Sequence, residues 1–248
     1  MSEHVQAMHG DAVATIVLSR PEAGNRLTNA MAAALAHALR EAQSSRVIVL
    51  RGAGDDFCVG RDMAPPAPGA DVSPLDVLRD DAQPMIDLFD AFARCRAPIL
   101  AEVQGRAWGI GTVFAGIADL TLASHDASFR LGELERGIPP GIALSALIDR
   151  VPPKWLGHLV YSAESVDAQS ALGAGLVGRV VARGELHAER DALVQRLLDF
   201  PQDALEAVKR YLSTAPHHDS ALALQYGAGI LSNVLASRCK NPALRSFA

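Results

Sequence analysis

Residues 99–118 read Ile-Leu-Ala-Glu-Val-Gln-Gly-Arg-Ala-Trp-Gly-Ile-Gly-Thr-Val-Phe-Ala-Gly-Ile-Ala. Ile99–Val103 is a compact apolar strand, Gln104–Gly111 a glycine-rich turn, and the turn opens a helix through Ala118. Strand, turn and helix in so short a span make the front half of a βαβ unit. The pattern recurs on both sides. Val13–Leu18 is a strand that ends at the turn Ser19-Arg20-Pro21-Glu22-Ala23-Gly24. Thr28 then caps a helix whose Met31, Leu35, Ala38 and Leu39 share one face. Val47–Leu50 is another strand, closed by Gly52-Ala53-Gly54-Asp55, and Leu120–Ala123 is a fourth. Strands separated by helices predict parallel βαβ units with right-handed crossovers. Near-continuous apolar strands predict helices on both faces of the sheet.

Ala64–Pro74 contains four prolines and reads as a loop, either a substrate lid or a surface segment, before a helix near Leu75–Arg94. The last third is predicted to lose its strands, with helices at Glu189–Leu198, Pro201–Leu212 and Ala221–Ala236. Pro201 suits a helix start, and Leu205, Val208 and Leu212 recur at helical spacing. The chain thus divides into a βαβ core, residues 1–185, and a helical region, residues 186–248.

Composition narrows the function classes. Of 248 residues, 49% are apolar and 21% charged, which describes an ordinary globular chain with a sizeable core. Lys+Arg 23 against Asp+Glu 28 leaves a formal charge of −5, so nucleic acid is not an expected partner. No run approaches the ~20 apolar residues of a membrane helix, so no membrane is expected either. Met1–Gly10 is polar, without the apolar run of a secretory leader. Cys58, Cys95 and Cys239 are odd in number and lack ligand spacing, which fits a reducing cytoplasm. The eight histidines form no H-E-x-x-H, so no metal is expected. His217-His218 falls between helices and reads as exposed.

Two glycine-rich turns follow apolar strands: Phe57-Cys58-Val59-Gly60-Arg61-Asp62, and the turn at 104–111. A helix start carries unpaired N–H groups and the positive end of the macrodipole, which suit an anion or a developing oxyanion. Neither turn is a nucleotide fingerprint. Each alone is also what a plain tight turn between core elements looks like.

Order and separation add more. Ser19-Arg20-Pro21-Glu22 through Asn25, Gly52 through Asp62, Pro98 through Gly111 and Phe129 through Pro140 resemble the enoyl-CoA hydratase/isomerase family, the crotonase superfamily. The resemblance runs from about Ser19 to Val181. It implies an α/β fold, a crotonase-like spiral of ββα units with a C-terminal helical trimerisation layer, in a homotrimer or a hexamer of two trimers. It implies an acyl-CoA substrate, with coenzyme A as part of the substrate and no separate cofactor. The thioester carbonyl would be polarised between two backbone N–H groups, those of Arg61 and Ile110. The family usually has a small residue at 61 and glycine at 110. A main-chain donor survives both changes, although β-branched Ile110 is stiffer and adds bulk. The Arg61 side chain reads either as a solvated or ion-paired guanidinium, or as a contact to a CoA phosphate or an acyl carboxylate. Val59, Gly60 and Gly109 are expected at the substrate, with Arg20 and Arg26 supplying charge for the CoA phosphates. Trp108 either lines the acyl pocket or fills core space. The sequence stops at Ala248, about where family members add a short basic tail, so the resemblance implies one fewer source of CoA contacts.

Hydratases of the family hold water between two glutamates. The first should stand three residues after the second amide, where this chain has Val113. The second belongs to P-E-x-x-x-G, here Gly132-Glu133-Leu134-Glu135-Arg136-Gly137, so Glu133 takes the catalytic place. An apolar setting would raise its pKa; the bland alternative is a surface ion pair, for example with Arg136. Glu135 reads as solvated, Asp62 as a non-catalytic family aspartate, and Cys58 as a small buried residue. One proton carrier suits enoyl-CoA isomerisation, moving a proton from one carbon to another. A divergent hydratase, an acyl-CoA hydrolase and a non-catalytic acyl-CoA-binding relative are the alternatives.

Overall fold

A computed structural model describes residues 3–63 and 71–240. The stretch 64–70 of the proline-rich segment lies outside the described residues. The chain opens with β1 (Val5–His9), β2 (Val13–Leu18), α1 (Asn29–Glu41) and β3 (Val47–Gly52). Then come α2 (Pro74–Val77), a π turn at Leu78–Ala82 and α3 (Gln83–Arg94). The middle runs β4 (Ile99–Val103), β5 (Arg106–Trp108), α4 (Ile110–Ile117), β6 (Leu120–Ser124) and β7 (Ser128–Arg130). It continues through α5 (Gly141–Leu147), α6 (Pro153–Ser162), β8 (Val166–Asp167), α7 (Ala168–Gly173) and β9 (Arg179–Val181). Three helices end the described chain: α8 (Leu186–Leu198), α9 (Gln202–Thr214) and α10 (Ser220–Lys240).

One sheet has the order β1-β2-β3-β4-β6-β9 and the other β5-β7-β8. In the large sheet every neighbouring pair is parallel except β1–β2. The chain steps from the large sheet to the small one and then into a helix: β4 to β5 to α4, then β6 to β7 and on toward α5. These are the turns of a ββα spiral. Alternating side chains divide each strand between two cores. Ile48, Leu50, Ile99, Ala101 and Val103 join α1, α3 and α4 on one face. Val47, Val49, Leu100 and Leu122 pack on the other against Leu186, Val194 and Leu197 of α8. Helices therefore cover both faces, and the first helix of region 186–248 belongs to the sheet's own packing. No helix among the described residues is long and apolar enough to cross a membrane.

Local chemistry explains the first helices. The Thr28 hydroxyl accepts from Met31 N–H at 3.1 Å, capping α1 as its sequence predicts. Met31, Leu35 and Leu39 are fully buried. The helix expected near Leu75–Arg94 is present but carries a π turn. Pro84 has no N–H to offer the Asp80 carbonyl one turn earlier, so a regular ladder cannot run through this point.

One expectation needs correction. The last third retains strands, β8 and β9, and β9 closes the large sheet beside β6. Two or three residues are too few to show a period of two. The edge strand β1 was likewise not foreseen, because its side chains are largely exposed and the stretch Val-Gln-Ala-Met-His lacks apolar alternation. The helix expected at Pro201–Leu212 is present as α9, and in its Leu205–Val208–Leu212 stripe Val208 and Leu212 are each 57% exposed. α9 is pinned by buried Lys209, whose ammonium lies 2.8 Å from Asp119 and donates to the Ala97 carbonyl at 2.9 Å. Leu222, Leu224, Leu231 and Leu235 of α10 are exposed.

Candidate active site

The first glycine-rich turn is held in place by polar groups that come from far along the chain. Asn25 is fully buried and sits at φ 57°, a left-handed conformation that asparagine tolerates better than most residues. Its amide donates to the carbonyls of Ala53 at 2.9 Å and Asp56 at 2.8 Å, and its oxygen accepts from Arg20 N–H at 2.8 Å. Asp56 accepts from the Arg106 guanidinium at 2.9 and 2.7 Å and from the Arg106 N–H at 2.9 Å. Those bonds hold its carboxyl below the usual range. Neither was among the expected site residues: their main partners lie 28 to 50 residues away, and burial is not visible along the chain. Asn25→Ala strands three polar groups, at a cost of about 3 kcal/mol. Differential scanning calorimetry is expected to show Tm falling by roughly 6–12 °C.

Two bridges then thread Phe57–Asp62 between neighbouring segments. Cys58 pairs with Ala107, and Arg61 with Leu27. Gly60 accepts from Leu27 N–H and Asp62 donates to the Leu27 carbonyl, both at 2.9 Å. Strand alternation therefore turns the Arg61 N–H away from Leu27, where it meets no acceptor among the described residues. The Ile110 N–H is the first of α4 and has no carbonyl one turn behind it. Gly111 brings the two segments together: a Cβ there would lie 2.1 Å from the Cys58 carbonyl oxygen, so only glycine fits. Gly109, at φ 53° and ψ −117°, turns the chain into α4. A Cβ on Gly109 would stand 3.4 Å from Gly60 Cα and 3.1 Å from Glu133 Oε1. Gly109 thus lies beside both Glu133 and Gly60, so the segments carrying the two unpaired amides and the carboxylate meet around it.

Glu133 starts a 3₁₀ turn, Glu133–Arg136, that ends at Gly137. Its Oε2 is sealed from solvent with no hydrogen-bond partner, and no ion pair to it occurs among the described residues. Burial raises its pKa above the ordinary 4.5, against smaller opposing effects of its own N–H and the charges of Arg136 and Arg130. A carboxylic acid whose pKa rises on folding contributes stability below its unfolded pKa and loses it as pH climbs through the raised value. Glu133→Gln is therefore expected to raise Tm at neutral pH, and the gain should shrink toward acid pH. Thermal melts across that range check the sign.

Val113, three residues into α4 from Ile110, is fully buried. The neighbouring Thr112 hydroxyl donates to the Ala107 carbonyl at 2.6 Å and accepts from Arg130 N–H at 3.1 Å, tying α4 to the small sheet. It is the one hydroxyl in an apolar helix, a signal that sequence reasoning passed over. Trp108 is half-buried, lies between the guanidinium groups of Arg106 and Arg130, and donates from Nε1 to Ser128 at 3.1 Å. The Arg130–Glu135 ion pair, at 2.5 Å, occupies Glu135. Arg20 is bonded to Asp62, whereas the exposed Arg26 has no side-chain partner among the described residues. The Val59 side chain packs against Gly24. Burial pushes the Cys58 thiol up to about 12, which leaves it inert.

Solved structures share this architecture. An enoyl-CoA hydratase of Mycobacterium smegmatis superposes with a TM-score of 0.87 at 29% identity, covering 98% of this chain and 93% of that one. A Thermobifida fusca YX protein assigned as an enoyl-CoA hydratase, solved with CoA, gives 0.84 at 29%, covering 96% and 95%. The fold is thus the crotonase fold, an α/β spiral with C-terminal helices. A family model for enoyl-CoA hydratase/isomerase matches residues 9–247, and the chain belongs to that family of acyl-CoA enzymes. The carnitinyl-CoA dehydratase of Proteus mirabilis is 30% identical over 218 residues, 84% of this chain and 80% of that protein. A Rhodobacter capsulatus protein named "Probable enoyl-CoA hydratase" is 31% identical over 203 residues, 81% and 77%.

Proposed function

We propose that the chain is an enoyl-CoA isomerase that shifts a double bond into conjugation with the thioester. The observation that carries this reading is a half-buried carboxylate, Glu133, whose Oε2 is sealed without a partner beside Gly109, while the position of the family's other proton carrier holds buried Val113. Glu133 takes a proton from C2 of a 3-enoyl-CoA. The negative charge moves onto the thioester oxygen, held by the N–H groups of Arg61 and Ile110. Glu133 returns the proton at C4, leaving the 2-enoyl product. Preorganised donors of this kind are worth roughly 2.7–4 kcal/mol of barrier each. No cofactor is needed, since coenzyme A enters as part of the substrate, and Arg26 is free to meet its phosphates. The exposed leucines of α10 offer a partner surface of the kind that the homotrimer, or hexamer of two trimers, implied by the family would cover, and three cysteines without ligand spacing favour a cytoplasmic setting.

The second reading, hydration, has support in the hydratase and dehydratase names of the relatives. Against it, losing one of the two groups that hold water costs about 10²–10⁴-fold. The test follows absorbance of the conjugated thioester with each substrate in turn. A 3-enoyl-CoA is expected to gain conjugation without forming a hydroxyacyl product. Rapid consumption of a 2-enoyl-CoA to the hydroxyacyl thioester would instead establish a hydratase, release of free CoA a hydrolase, and no change with either a binding protein.

A further inference from the structure

The side chain of Arg61 does something its main chain does not. Its Nη2 donates to Asn29 Oδ1 at 2.7 Å, and its Nη1 donates to the Asp81 carbonyl at 3.0 Å. Asn29 Nδ2 in turn donates to the Asp80 carbonyl at 2.8 Å. Both carbonyls belong to the π turn at Leu78–Ala82, where Pro84 withholds the N–H that Asp80 would otherwise receive. The remaining nitrogen, Nε, is sealed from solvent without a partner. With Nη1 and Nη2 each bonded toward the π turn and Nε enclosed, the guanidinium is held at this end of the segment.

We propose that Asn29 and Arg61 are positioning residues: their side chains clamp the π turn to the strand that carries the Arg61 amide, and so fix where that amide points. The inference rests on the reading of that amide as a donor to the substrate oxygen. The geometry is suited to this. Arg61 is attached at two places, through its main chain to Leu27 and through its side chain to the π turn. A planar guanidinium bonded at two nitrogens resists rotation in a way that a single contact does not. Asn29 completes the link by bonding both the guanidinium and the turn. Small errors of aim at such a donor cost far more in the transition state than in the bound ground state.

The test compares Arg61→Ala, Asn29→Ala and the double variant. Each single change is expected to lower kcat about ten- to a hundredfold with KM little altered. The double variant should be no worse than Arg61→Ala, because both substitutions break one unit. Difference infrared spectroscopy of carbonyl-labelled 2-enoyl-CoA supplies a readout that a merely structural role would not move. Wild type should shift the thioester stretch to lower frequency, and both single variants should lose part of that shift. Arg61→Lys should return it only partway, since an ammonium lacks the fixed planar fork that bonds both acceptors. Asn29 is exposed in the first turn of α1, so Asn29→Ala decides the matter even if Arg61→Ala does not fold. A full shift and wild-type kcat in Asn29→Ala would overturn the clamp while leaving the amide pair intact. No shift in wild type would instead remove the amide pair, and the clamp's purpose with it.

Discussion

Replacing Glu133 by glutamine is expected to abolish turnover of 3-enoyl-CoA, with kcat down by at least 10²–10⁴-fold, while CoA affinity stays as it was. Glutamine matches glutamate in shape, so the 3₁₀ turn, the Gly109 contact and the cleft persist. What disappears is the side chain proposed to accept and return the proton, and buried Val113 carries none to replace it. Burial already raises the Glu133 pKa, which brings it nearer to working pH and makes it a stronger base when ionised. In wild type kcat/KM should therefore rise with pH through an apparent pKa above the ordinary glutamate value. Steady-state kinetics and calorimetric CoA titration on the same preparation give the answer. Activity retained in the glutamine variant would remove Glu133 from the chemistry.

The other large effect is expected at Gly109. Its φ of 53° and ψ of −117° are all but closed to residues with a side chain, and forcing alanine there costs roughly 1–3 kcal/mol. The added methyl would also stand 3.1 Å from Glu133 Oε1 and 3.4 Å from Gly60 Cα. Glu133 must give by a few tenths of an ångström, while Gly60 is left at ordinary contact distance; the base and the backbone turn that presents the Ile110 amide are disturbed together. Gly109→Ala should therefore lose 10²–10³-fold or more in kcat, as for removal of one oxyanion donor, with a fall in Tm too small to explain it. Parallel melts and initial rates separate the two. An active Gly109→Ala would mean that the cleft is not where the reaction occurs.

The apolar strands Val13–Leu18, Val47–Gly52, Ile99–Val103 and Leu120–Ser124 were legible because burial on both faces leaves continuous runs of Val, Ile, Leu and Ala. α1 was legible from its cap and its helical spacing. Short strands were not: β5, β7, β8 and β9 span three residues or fewer, and partners distant in sequence decide their pairing. The same division runs through the site. Glu133, Gly109 and Gly111 stand in local patterns that can be read along the chain. Asn25, Asn29 and Asp56 act on carbonyls and guanidiniums far away in sequence, so nothing adjacent to them announces the role. The Arg61 side chain likewise depends on Pro84 and the π turn it breaks, a link that only the folded chain contains.

The meeting of Cys58 and Gly111 bears on how the protein comes to life after synthesis. The segments carrying residues 25, 61, 110 and 133 are each inert apart, and they converge only when the second ββα turn closes over the first. Such closure joins residues about 50 positions apart, and non-local contacts of this kind carry an entropic cost that local helix formation does not. A nascent or truncated chain can hold most of its helices and still lack any place for a thioester. Catalytic activity, on this view, reports the last stage of folding, not its beginning.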